Sequence, residues 1–181
     1  MLLEREKILI DNLLACLNLY QRSLMWALTA SCAFFLLTLR LRDPSQPKVP
    51  LLYTEINLAM AWCLALALFL VFGGFALSAL HRAEAILTKL NPPPELREAI
   101  LLYPSLATNQ NILVRAGSVL LCPLAIVTGI VIELWHGFTR EELSWKHQPW
   151  ETWGGYLILS LIIIGVYGGL ARQVWQPFGS R

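Results

Sequence analysis

The stretch Ile56–Leu80, INLAMAWCLALALFLVFGGFALSAL, decides the fold. It runs for 25 residues without Asp, Glu, Lys, Arg or His. A helix of that length reaches about 37 Å, more than the ~30 Å hydrocarbon core of a bilayer. Three further runs, Ser23–Leu39, Ala116–Ile132 and Gly154–Ala171, also lack every ionisable residue. The expected fold class is therefore all-α: a polytopic membrane protein with four transmembrane helices. One membrane domain over residues 1–181 accounts for the runs and their connections.

The rest of the composition agrees. The chain is 56% hydrophobic and 14% charged, against about 25% charged in a soluble domain. Its net charge of +2 is small, and no basic stripe is present, so a nucleic-acid partner is excluded. An ionisable group at bilayer depth costs at least about 2.5–3.5 kcal/mol and marks function where it is tolerated. The uncharged runs thus argue against a proton pump, an ion-coupled carrier or a buried charged active site. Cys16, Cys32, Cys63 and Cys122 form no CxxC pair and read as small apolar packers, which speaks against a dithiol oxidase. Glu4, Glu6 and Asp11 are wrong for the basic start of a signal peptide, so no removable leader is expected.

Outside the runs the pattern stays helical. Ile10, Leu13, Leu14 and Leu17 mark one face of an amphipathic helix over residues 2–20. It reads either as a separate interfacial helix or as an extension of the first span. Pro44, Pro47 and Pro50 break the helix after that span. The second run is expected to continue through His81–Leu90 and to end at Asn91-Pro92-Pro93-Pro94. A short helix opens at Glu95, with Leu96, Ala99, Ile100 and Tyr103 on one face, and Pro104 limits it. Glu133–Thr152 reads as an outer loop. Trp26, Trp135, Trp145, Trp150, Trp153 and Trp175 are expected as interfacial anchors, ring inward and N–H toward water.

The flanks set an orientation. Residues 1–22, 81–115 and 172–181 carry nine Lys and Arg, whereas 40–55 and 133–153 carry five. The positive-inside rule then places both termini and the middle segment in the cytoplasm, in a bacterial inner membrane.

Two pairs of segments resemble each other. Arg5-Glu6-Lys7-Ile8-Leu9-Ile10 resembles Arg97-Glu98-Ala99-Ile100-Leu101-Leu102, 92 positions on. Phe72-Gly73-Gly74-Phe75-Ala76 resembles Tyr167-Gly168-Gly169-Leu170-Ala171, 95 positions on. Either a two-span unit is duplicated, with halves 1–91 and 92–181, or apolar segments resemble each other by chance. Two spans per half would make the repeats parallel, related by an axis along the membrane normal.

Few residues invite chemistry. Gly165 and Gly169 allow close helix approach, and Ala61/Ala65 and Ala125/Gly129 are weaker versions of the same spacing. Pro123 within the third run removes a backbone hydrogen bond and is expected to kink the helix. His81 lies at the opposite end of the spans from His136 and His147, so it cannot share one haem with either. His136 and His147 with Glu133, Glu141, Glu142 or Glu151 could hold a metal, but solvated loop residues explain them more simply. Glu55, Glu133 and Glu151 form either an acidic ring at a pore mouth or ordinary helix-end carboxylates. No phosphate loop, HExxH or nucleophile elbow is present.

These observations lead to a non-catalytic accessory or assembly subunit of a larger membrane complex. Its partners would be membrane lipid and other membrane subunits or copies of itself, with no cofactor. The alternatives are a homo-oligomeric channel or membrane-permeabilising effector, and a redox or cofactor-binding membrane subunit.

Overall fold

A computed structural model describes residues 4–40, 48–51, 54–109, 111–139 and 150–175. Five helices carry the chain: α1 (Glu4–Arg40), α2 (Leu58–Leu90), α3 (Pro94–Leu101), α4 (Ile112–Thr139) and α5 (Trp150–Trp175). Three are long and apolar enough to cross a membrane, through Glu4–Leu39, Cys63–Leu90 and Ile112–Ile132. The apolar stretch Ile158–Arg172 of α5 is shorter.

Between α1 and α2 the helical fold carries a short ribbon. Strand β1 (Lys48–Leu51) pairs antiparallel with β2 (Thr54–Asn57), Pro50 standing opposite Glu55. A two-stranded ribbon tolerates Pro50 because an edge strand need not donate every N–H. Ile56 and Asn57 belong to β2, so α2 begins at Leu58, two residues inside the second apolar run. The expected outer loop Glu133–Thr152 is also shorter: α4 runs on to Thr139 and α5 starts at Trp150.

The amphipathic N-terminal segment is the extension of the first span. α1 is one helix of 37 residues. Its buried positions include Leu13, Leu17, Tyr20, Leu24, Ala27, Ser31, Phe34 and Thr38, with Ser23 and Ala30 buried beside them. The first set alternates by four and three, the spacing that keeps one helical stripe against a partner. The partner is α2, which forms the most extensive helix pair with α1. Its buried stripe includes Ala65, Phe69, Ala76, Leu80, Ala83 and Leu87. Leu13 and Leu17 at one end, and Ala83 and Leu87 on the other helix, belong to the same core as the residues of the apolar runs. The polar ends of α1 and α2 are therefore a continuation of the hairpin. Asn91 ends α2 in the left-handed conformation (φ 38°), its N–H bonded to the Leu87 carbonyl at 3.1 Å. Asn is among the few non-glycine residues that take this position readily.

α1 also packs on α4, and α5 packs on α2 and α4. Two contacts fix the direction of the first pair. The Ser31 and Cys122 side chains are in hydrogen-bonding contact, and Phe34 and Thr38 lie against Gly129. Residue numbers rise together, so α1 and α4 run parallel. Likewise Gly73 faces Tyr167 and Leu77 faces Gly169, so α2 and α5 run parallel. In these contacts the partners stand 91 to 95 positions apart, close to the 92 and 95 that separate the resembling segments.

Candidate functional site

The charged end of the helices holds the most elaborated local structure. There α3 and the following turn fold back onto α1. Ile100 is buried in the common core, and Tyr103 donates its phenol hydrogen to Asn18 Oδ1 of α1 at 3.0 Å. Residues 103–109 close on themselves through short polar side chains. The Thr108 hydroxyl lies against the carbonyls of Tyr103 and Ser105 and accepts the Ser105 N–H at 3.3 Å. Ser105 Oγ accepts the Ala107 N–H at 3.1 Å. These side chains replace backbone partners that the helix ending near Pro104 leaves open. Asn109 Oδ1 accepts the Asn111 N–H at 2.8 Å, and Asn111 Oδ1 then caps α4 by accepting the Leu113 N–H at 2.9 Å.

This fold-back leaves an open cleft of about 450 Å³ between the turn and Gln21 of α1. Gln21, Tyr103, Ser105, Thr108 and Asn109 line it together with leucines and Pro104. Among the described residues its lining includes no His, carboxylate or cysteine. The cleft offers neutral hydrogen-bonding groups and an apolar wall, a surface for binding with no general base at hand.

A second depression of about 420 Å³ follows one face of α2: Gly74, Leu77, Ser78, His81, Arg82 and Ala85. It crosses the point where the apolar run stops at Leu80. His81 and Arg82 are both exposed there.

The sequence-predicted packing residues are placed unequally. Ala61 and Ala65 are buried, and Ala125 is half-buried. A Cβ on Gly129 would stand 2.9 Å from Phe34 Cε1, and one on Gly169 would stand 3.0 Å from Leu77 Cδ1. Gly165 faces nothing within 4 Å. Pro123 sits half-buried within α4, which is helical on both sides of it. Trp26 is 58% exposed and stacks on Phe72, ring centroids 6.0 Å apart. Trp135 falls on the backbone of α4, and Trp150, Trp153 and Trp175 on that of α5. Trp145 and His147 lie outside the described residues. His81 stands on α2 and His136 on α4. Among the described residues, no three His, Cys, Asp or Glu side chains converge on a metal site. All four cysteines are free, Cys122 buried and Cys32 and Cys63 exposed.

Sequence reasoning missed Gly73, which among the described glycines leaves the least room for a side chain. A Cβ there would stand 2.7 Å from the Tyr167 hydroxyl oxygen. The resemblance of Phe72-Gly73-Gly74 to Tyr167-Gly168-Gly169 marked both of the segments that meet here.

The chain matches no family model, no curated protein and no solved structure.

Proposed function

We propose that the protein is a four-span, non-catalytic membrane protein acting as an accessory or assembly subunit of a larger membrane complex. The observation that carries this reading is a second seam on α4. Its inner seam, Arg115, Val119, Cys122, Ile126 and Gly129, is buried. On its outer side Leu113, Leu120, Leu124, Val127 and Val131 are 40% or more exposed. The outer seam repeats the same three-and-four spacing, which suits a facing helix. The neighbouring α5 adds exposed Leu161, Ile164 and the open Gly165. Small residues beside an apolar seam favour close helix approach in lipid, where packing, not water exclusion, drives association.

In this reading α5 is the fourth span, both termini face the cytoplasm, and the membrane is a bacterial inner membrane. The Lys and Arg distribution supports that orientation. The 91-to-95-residue separation of Ser31 from Cys122, Phe34 and Thr38 from Gly129, Gly73 from Tyr167 and Leu77 from Gly169 supports halves 1–91 and 92–181 as copies of one two-span unit. A second copy of the chain is the other occupant the α4 seam admits, and it would make the protein homo-oligomeric.

The test is purification of the tagged chain in mild detergent, with native mass spectrometry of what accompanies it. A stoichiometric membrane subunit lost in Leu124→Trp supports the subunit reading. A species of identical copies that makes liposomes leak supports the channel alternative. A monomer alone, for wild type and variant alike, overturns both.

A further inference from the structure

We propose that the groove on α2 from Gly74 to Ala85 binds an anionic phospholipid. Arg82 and His81 hold its phosphate, and an acyl chain lies over Leu77 and Gly74. The inference rests on the membrane reading and is independent of the subunit reading.

The groove has the polarity of such a lipid. Gly74, Ser78, His81, Arg82 and Ala85 recur at the spacing of one helix face. From Gly74 to Arg82 is eight residues, about 12 Å along the axis. The apolar run ends at Leu80, so this interval passes from hydrocarbon depth to the headgroup layer. At the apolar end the trough is open, because a Cβ on Gly74 would meet nothing within 4 Å. At the polar end His81 and Arg82 are both exposed. A guanidinium presents donors in a fork that matches two phosphate oxygens, and its weak hydration suits an interfacial site. The cleft beside Gln21 lacks this pairing of a cation with an apolar trough.

Native mass spectrometry of the full chain in mild detergent tests this. The probes are phosphatidylglycerol and phosphatidylcholine with the same acyl chains. The expected result is tighter retention of phosphatidylglycerol, by about fivefold or more. Arg82→Gln is expected to remove about fivefold of that affinity. Gly74→Leu sets its Cβ in open space and is expected to weaken both lipids by filling the trough. Lys89→Gln, more than a turn beyond the groove, is expected to change nothing. Equal retention of the two lipids overturns the proposal, as does undiminished phosphatidylglycerol binding in both groove variants. Displacement of the lipid by millimolar inorganic phosphate, with equal protection against heat, would assign the site to a soluble anion and also overturn it.

Discussion

The ring of Tyr167 fills the space that Gly73 leaves by having no side chain. The phenol stacks on Phe69 with centroids 4.6 Å apart and planes 3° from parallel, and its hydroxyl donates to the Phe69 carbonyl at 3.2 Å. One residue of α5 is thus held by two residues one helical turn apart on α2. Tyr167 is 4% exposed and has little room to retreat.

Gly73→Ala is therefore expected to destabilise the protein, although alanine is the better helix former. A Cβ at position 73 would lie 2.9 Å from both Tyr167 Cε2 and Cζ, as well as close to the hydroxyl. Overpacking of this kind costs about 1–3 kcal/mol, against a propensity gain of about 1 kcal/mol. Gly74→Ala meets open space and should be neutral or stabilising. Denaturant titration of the two variants in detergent checks the contrast; equal stabilities would show that Tyr167 is not fixed.

Tyr167→Phe should cost little by itself, about 0.5–1.5 kcal/mol, since the Phe69 carbonyl also accepts its own helical bond. In the Gly73→Ala background the same change should cost less, because it removes the atom nearest the new methyl group. A double-mutant cycle reads that coupling directly.

How far these relationships were legible in the chain differs by element. The second helix and its end at Asn91 were readable, because the apolar run is long and Asn91-Pro92-Pro93-Pro94 cannot continue a helix. The unity of α1 was harder to read. Arg22 falls in the middle of an unbroken seam and divides by composition what the four-and-three spacing joins, Leu13 through Thr38. The ribbon at Lys48–Asn57 was hidden because Pro44, Pro47 and Pro50 read as irregular structure. Gly165 and Gly169 looked equivalent, since spacing does not say which face a neighbour will cover. The groove at Gly74–Ala85 needed three dimensions, because His81 and Arg82 resemble any pair of helix-end residues.

The seam through α1 has a consequence at its polar end. Leu17 is fully buried, six residues before the first apolar run begins. Leu17→Ala should cost about 2–5 kcal/mol, as in a protein core. Ile8→Ala, on a residue 56% exposed, should fall within about 0.5 kcal/mol of wild type. Hydrogen exchange across residues 4–22 distinguishes a cooperative hairpin from a peripheral helix: Leu17→Ala should speed exchange in α1 and the end of α2 together.

The turn after α3 should respond locally. Thr108→Val leaves the buried Ser105 N–H without its hydroxyl acceptor, a loss of about 1–3 kcal/mol. Asn18→Ala removes one exposed bond to Tyr103 and should cost less than about 1 kcal/mol. Both should raise exchange in 102–109, Thr108→Val more strongly, while α2 stays protected.

Gly165 and Gly169 separate packing within the chain from packing against a partner. They stand four residues apart on α5, yet only Gly169 touches another helix, through Leu77. Gly169→Leu must push a full side chain into the space Leu77 occupies, and it should lower stability of the isolated chain by about 1–3 kcal/mol. The Cβ of Gly165→Leu would meet nothing within 4 Å, and the variant should leave the isolated chain within about 0.5 kcal/mol of wild type. If a partner helix does approach this face, Gly165→Leu should nevertheless abolish co-purification, because the added side chain holds two backbones apart. Stability and association measured on the same two variants then give opposite orders. If Gly165→Leu leaves both quantities unchanged, this face of α5 meets lipid alone, and the partner contact is confined to α4.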